Sequence, residues 1–368
     1  MAKNTITFIG TNHAVAPLLN VLSETHDVSV YNSAPLPSLV PEVKLIALPP
    51  GPLFLEKILN KYNKETSPPF YLKGLIPLLW KNKPETLIVM DIFRFWSLQA
   101  YIYALFHKGV RISILSETKR IPRSFISKIL FYCMLSILEI ISFKINRIFV
   151  YEKLGFEFFK KQGFKKVDIV KLSIDEALFY PSLEKTYKDN NIVRLIMVAR
   201  YVEYKRHLDL LKAVKQCIQT GVHNIHITLI GGSGGNEKAI IEYIEKEKLT
   251  SYVTILSPVQ KEELREIYYK HDVLVLPSEY EAIGMVVPEA MACGLATITS
   301  DTVGANIYVE DNETGLVFET GNINSLSKKI KIYAESDLSK KHGLAGSKKI
   351  NEEFSRQACA ELFTQLIK

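Results

Sequence analysis

Short runs rich in Val, Ile and Leu alternate along this chain with longer segments of helical period, and the alternation comes in two separate series. Successive strands joined through a helix pair in parallel, so repeated βα units call for parallel sheets with helices on both faces. In the first series TITFIG, DVSVYN, ETLIVMD, VRISILSE and RIFVY read as strands. APLLNVLSE, a stretch over about 53–62, LKGLIPLLWKN, FWSLQAYIYALFHKG and the apolar run from Phe125 read as helices. In the second series IVRLIMVA, IHITLIGG, VTILSP, VLVLPS and LATIT are strands, and RHLDLLKAVKQCI, GGNEKAIIEYIEKEK and KEELREIYYKH are helices. The polar stretch SLEKTYKDNN between the series reads as a linker. The expected organisation is therefore a first Rossmann-like domain over 1–181, a linker over 182–191 and a second such domain over 192–350. A last helix over 351–368 is expected to pack back on the first domain. Doubly wound sheets bind ligands at the carboxyl ends of their strands, here in a cleft between the two domains.

At 368 residues the chain suits two domains of ordinary size, and 47% hydrophobic with 23% charged residues is a globular composition. Cys133, Cys217, Cys293 and Cys359 lie far apart with no C-x-x-C, which reads as buried thiols in a reducing compartment rather than as disulfides or a zinc site. The sequence MAKNTITFIG is expected to run straight into a strand, and no signal peptide is expected. The most apolar stretch, 125–151, is broken by Lys128, Glu139, Lys144 and Arg147, which favours a core helix and strand over a membrane span. Residues 1–185 hold 24 Lys+Arg against 15 Asp+Glu, a net of +9, whereas the remainder is −2. A basic half suits an anionic partner, whether nucleic acid, lipid headgroups or a phosphorylated acceptor. Lysines interleaved with Tyr62, Phe70, Tyr71 and Trp80 over 56–83 suit an anionic membrane surface and an ordinary solvated helix pair equally well.

The densest chemistry lies in PSEYEAIGMVVPEAMACGLATITSD, residues 277–301. Glu281 and Glu289 stand eight positions apart, across a glycine-bearing turn that opens a short helix with Pro288 in its first turn and Gly294 at its end. Strand, turn and helix start form an anion site suited to a diphosphate, and carboxylates beside it accept hydrogen bonds from sugar hydroxyls. As mere surface carboxylates the pair would sit badly among the apolar flanks IGMVV and AMACG. Arg200 and Lys205 follow the strand IVRLIMVA in one loop and can hold phosphate oxygens, although a solvated basic loop is the plain alternative. LIGGSGG after the next strand is by itself a weak phosphate-loop signal.

Together these stretches resemble the E-x7-E signature of retaining glycosyltransferases of the GT-B fold, family four. The arginine and lysine resemble its GRL…KG pattern, and LIGGSGG its IxGxGxE turn, with Glu237 as a first-turn carboxylate. The resemblance implies an α/β chain of two Rossmann-like domains facing a central cleft, with the donor held mainly by the second. Arg200, Lys205 and Glu281 would carry the chemistry, the two cations on the leaving diphosphate and Glu281 on the donor sugar. Glu289 would take the ribose hydroxyls, and the backbone N–H groups of Ile283, Gly284, Met285 and Val286 would face sugar and phosphate. Gly231 and Gly232 would let the nucleotide approach closely, and Pro258 and Val259 would read the base edge. Gly10, ending the first strand, would open a loop facing the phosphates, with His13 in it, while Asp91, Arg94 and Trp96 would stand at another strand end. The chain departs from the family at Ala282-Ile283, where glycine and an aromatic are usual, at Arg206 in place of glycine, and at Thr118, beside Glu117, where many relatives carry histidine.

The expected activity is therefore a retaining, metal-independent sugar transfer from a nucleotide-diphosphate sugar to a hydroxyl acceptor, in synthesis of a cell-surface glycan or glycolipid. No cofactor or metal is expected, since the sequence has no D-x-D for a metal-held diphosphate. The partners expected are the donor, a glycan or lipid-linked acceptor and an anionic membrane surface, with no nucleic acid, at a cytoplasmic or membrane-peripheral location. A nucleotide-sugar epimerase or phosphorylase on the same fold, or a non-catalytic binding subunit, are the competing readings.

Overall fold

The computed structural model describes residues 4–11, 15–36, 38–51, 71–91, 95–116, 125–188, 191–281 and 283–367. The chain divides into two compact units, the first formed by Met1–Ser173 with Arg356–Lys368 and the second by Ile174–Ser355. In the first unit the strands are β1 Thr5–Ile9, β2 Asp27–Asn32, β3 Lys44–Ala47, β4 Pro50–Gly51, β5 Tyr71–Leu72, β6 Thr86–Met90, β7 Arg111–Ser116, β8 Ile145–Val150 and β9 Val167–Ile169. They form a seven-stranded sheet in the order β3-β2-β1-β6-β7-β8-β9, parallel throughout, beside a small antiparallel β4–β5 pair. A parallel sheet covered on both faces buries its central strands whole, and TLIVM of β6 is buried at every position. Val89, Ile114 and Ile148 of the sheet meet Leu79, Ala104, Leu138 and Phe159 of the helices in one core.

The last helix, Arg356–Ile367, belongs to this first unit. Its Phe363 ring lies 6.3 Å from Phe8 of β1 and 5.1 Å from Phe149 of β8, so residues from the end of the chain complete a core begun by its start.

The second unit holds β10 Val193–Val198, β11 Ile225–Ile230, β12 Val253–Leu256, β13 Val273–Leu276, β14 Ala296–Ser300 and β15 Gly315–Phe318. Their order is β12-β11-β10-β13-β14-β15, again all parallel. The boundary between units falls after Ser173 rather than within 182–191. The described part of that polar stretch is tied down on the second unit, which its composition does not announce. The Lys185 ammonium donates to the carbonyls of Tyr268, Tyr269 and His271, capping the end of helix Lys261–Tyr269. The Tyr187 hydroxyl donates to Gly294 O at 2.7 Å. The fully buried Asp272 carboxylate accepts from the Lys188 and Arg194 backbone N–H groups and from the Arg194 guanidinium. Cys217, Cys293 and Cys359 are buried and Cys133 is exposed, against the expectation for it; all four are free thiols. Among the described residues no helix is long and apolar enough to cross a membrane.

Candidate functional site

β10 is the first strand of the second unit and lies inside its sheet. The chain leaves it on one side for β11 and β12, then returns to its other side as β13. Helices following β10 and β13 diverge there, leaving a crevice at the carboxyl ends of the two strands. Arg200 follows β10, Gly231 follows β11 and Glu281 follows β13, so topology alone brings three separate sequence motifs to one place. A cavity of about 440 Å³ occupies it. Its lining includes Arg200, Lys205, Gly231, Gly232, Pro258, Val259, Glu281, Gly284, Met285 and Val286, with apolar walls from Val198, Ile230 and Leu264.

The charges in this cavity are organised. The Lys205 ammonium contacts the Glu281 carboxylate, and both side chains are largely withdrawn from solvent. Burial, with the Arg200 charge acting in the same direction, lowers the Lys205 pKa to about 8, while the carboxylate against it favours the charged form. Arg200 donates to the Tyr204 hydroxyl at 3.2 Å, and the Lys205 ammonium lies 5.5 Å from the Tyr204 ring centroid. Tyr204 therefore touches both cations and lines the cavity, a role the sequence reading missed. Its position in ARYVEYK, between the two basic residues, was the available signal. Arg206, in the left-handed region at φ +56°, turns away to Asp209 at 2.8 Å and Glu279 at 3.5 Å, so Lys205 is the cation of that pair at the cavity. Next in the chain, His207 is buried against Tyr201, and burial lowers its pKa to about 4.

The glycines divide by cause. A Cβ on Gly231 would stand 2.0 Å from Ala199 O, so glycine is required there by the neighbouring loop. A Cβ on Gly232 would meet nothing closer than 3.7 Å, which leaves its open side to whatever fills the cavity. Gly284 has φ +62° and packs against Ala305 and the Glu281 side chain. Glu237 accepts from the Gly234 and Gly235 N–H groups at 3.2 and 3.1 Å, the behaviour of a carboxylate at the start of helix Glu237–Lys246.

Ile283 and Glu289 do not line this cavity. Ile283 is a buried side chain, and Glu289 sits buried on helix Val286–Ala292 with Lys261 at 3.4 Å. Burial raises the Glu289 pKa, and Lys261 opposes the rise. Gly10 belongs to the first unit, at φ +66°, and a Cβ there would fall 2.8 Å from the Trp96 indole. That indole donates to Met90 O at 3.0 Å, so packing accounts for both Gly10 and Trp96. His13, Arg94, Glu117, Thr118 and Ala282, together with the helix expected near 53–62, lie outside the described residues.

Residues 182–349, which carry the whole of this cavity, match the family described as glycosyl transferases group 1. That match covers somewhat under half of the chain. A curated D-inositol 3-phosphate glycosyltransferase of Rhodococcus erythropolis is 34% identical over 99 residues, 26% of this chain and 22% of the relative, so the match spans about a fifth of that protein. Over the whole chain the likeness is one of fold. A sucrose-phosphate synthase from Thermosynechococcus elongatus superposes with a TM-score of 0.75 at 18% identity, covering 99% of this chain and 98% of that one. The Anabaena protein HepE, solved in complex with UDP, superposes with a TM-score of 0.77 at 13% identity over 98% of each chain. The fold is thus that of the GT-B glycosyltransferases, with the group 1 segment supplying the second unit.

Proposed function

We propose that this protein is a retaining, metal-independent glycosyltransferase that moves a sugar from a nucleotide-diphosphate sugar to a hydroxyl acceptor. The observation that carries the reading is the convergence of Arg200, Lys205 and Glu281 on one cavity at the switch point of the second sheet. Breaking the bond between the anomeric carbon and the diphosphate leaves negative charge on the departing oxygens. Two fixed cations, one of them largely desolvated, stabilise that charge where it develops. Held against Lys205, Glu281 would orient the sugar's hydroxyls and keep the ammonium directed into the site. The acceptor oxygen attacks the oxocarbenium-like centre from the face the diphosphate leaves, and its proton departs with the diphosphate. Gly232, Pro258 and Val259 bound the side of the cavity suited to the nucleoside. An acceptor of glycan or lipid-linked type and a membrane-peripheral place suit the basic first half.

Titration calorimetry with a panel of nucleoside diphosphates and their sugars tests the donor site. One nucleotide is expected to bind, and Lys205→Ala and Glu281→Gln are each expected to lower turnover at least about tenfold while the protein stays folded. No affinity for any nucleotide-sugar, or unchanged turnover in folded variants, would end this reading.

A further inference from the structure

In the first unit β6, β7, β8 and β9 are neighbours in one parallel sheet, so their amino ends form one edge. The helices that feed these strands, Leu75–Asn82, Phe95–Phe106, Phe125–Ile140 and Lys153–Lys161, all end at that edge. Large apolar side chains stand out along it: Trp80 is 49% exposed, Phe106 72%, Ile140 73% and Phe143 74%. Ile102, one turn back along the helix from Phe106, extends the apolar strip, and Leu105 is exposed beside it. Trp80 packs against His107, 4.4 Å between rings, which joins the first two helix ends into one patch.

The charge beside these tips is predominantly positive. The four turns read WKNKPE over 80–85, FHKGVR over 106–111, EIISFK over 139–144 and KKQGFKK over 160–166. They carry eight lysines and Arg111 against Glu85 and Glu139. Monomeric proteins rarely expose so many large apolar tips in a row without a partner. A second copy of the chain would bring the same cations face to face, so like-charge repulsion opposes a self-complementary dimer.

We infer that this edge is a docking surface for an anionic lipid bilayer, with Phe106, Ile140 and Phe143 entering the headgroup boundary and the lysines facing lipid phosphates. Aromatic and aliphatic tips flanked by lysines match the two components of an interface, apolar burial and attraction to negative headgroups. Long lysine stems let the ammonium reach the phosphates while the apolar tips sit deeper. The inference does not depend on sugar transfer; it would hold if the cavity of the second unit bound nothing.

Co-sedimentation of the full chain with vesicles of phosphatidylcholine alone or with about one-third phosphatidylglycerol tests it. Binding to the anionic vesicles is expected at least about tenfold tighter than to the neutral ones, and weaker in high salt. Phe143→Ser and the pair Phe106→Ser/Ile140→Ser are each expected to lower it severalfold, and Lys81→Glu/Lys83→Glu/Lys108→Glu to abolish the preference for anionic lipid. All these positions are exposed, and unchanged thermal melts would exclude misfolding. No binding to anionic vesicles, or binding indifferent to the substitutions, would overturn the inference. So would concentration-dependent self-association that Phe106→Ser/Ile140→Ser removes, which would make the edge an interface between copies.

Discussion

Lys205 is the side chain on which charge and geometry meet. Its pKa of about 8 means that the ammonium is present below that pH and is lost as pH rises through it. Affinity for a nucleoside diphosphate is therefore expected to fall about tenfold between pH 7 and 9, the scale of one charge-assisted contact. Lys205→Arg, whose guanidinium stays charged, should remove that fall, and calorimetry at the two pH values checks both. Tyr204 lends itself to a graded test, since its hydroxyl receives Arg200 and its ring adjoins Lys205. Tyr204→Phe is expected to lower turnover ~threefold to tenfold, about 1 kcal/mol, and Tyr204→Leu further, read as kcat and KM separately. That Glu281 and Lys205 meet at one strand-end cavity could be anticipated from the sequence, because both follow strands of one doubly wound series. Tyr204 could not, because its part is set by the turn that aims it between two cations. Nor does the spacing of Glu281 and Glu289 reveal that Glu289 is buried beside Lys261, since helix rotation decides that.

At the scale of elements, Gly231 and Gly232 look alike in the sequence and differ in the fold. Gly231→Ala is expected to cost about 1–3 kcal/mol of stability, because its methyl would collide with a backbone carbonyl that cannot turn aside. Gly232→Ala should leave the melting temperature nearly unchanged and weaken nucleotide binding instead, so thermal melts with and without nucleotide separate the two. The strands that the hydrophobic pattern identifies are the ones buried on both faces, such as TLIVM and VLVL. KLIA of β3 and VDI of β9 are short strands at the two edges of the first sheet, with partly exposed residues, and carry too little period to be distinguished from loop. The polar stretch before β10 passes for a linker because its attachments are made by Lys185 and Tyr187 to backbone carbonyls, which leave no hydrophobic trace.

The whole molecule is two units of which only the second is continuous in sequence. Phe363→Ala, which empties the contact with Phe8 and Phe149, is expected to cost about 3–5 kcal/mol in the first unit alone. Scanning calorimetry should then show one transition moving down, while a bound nucleotide raises only the other. The charge asymmetry, +9 in residues 1–185, was visible in composition, but its arrangement on one edge with Phe106 and Phe143 required the strand order. The split of the first unit also bears on how the protein is made. A ribosome releases the chain from its N-terminus, so Phe8 and Phe149 emerge long before the helix that covers them. By the time Phe363 is synthesised, every residue of the second unit has already been added. The first unit, begun before the second, can thus be finished only after it, and until then it carries an uncovered aromatic face that a chaperone would have reason to bind.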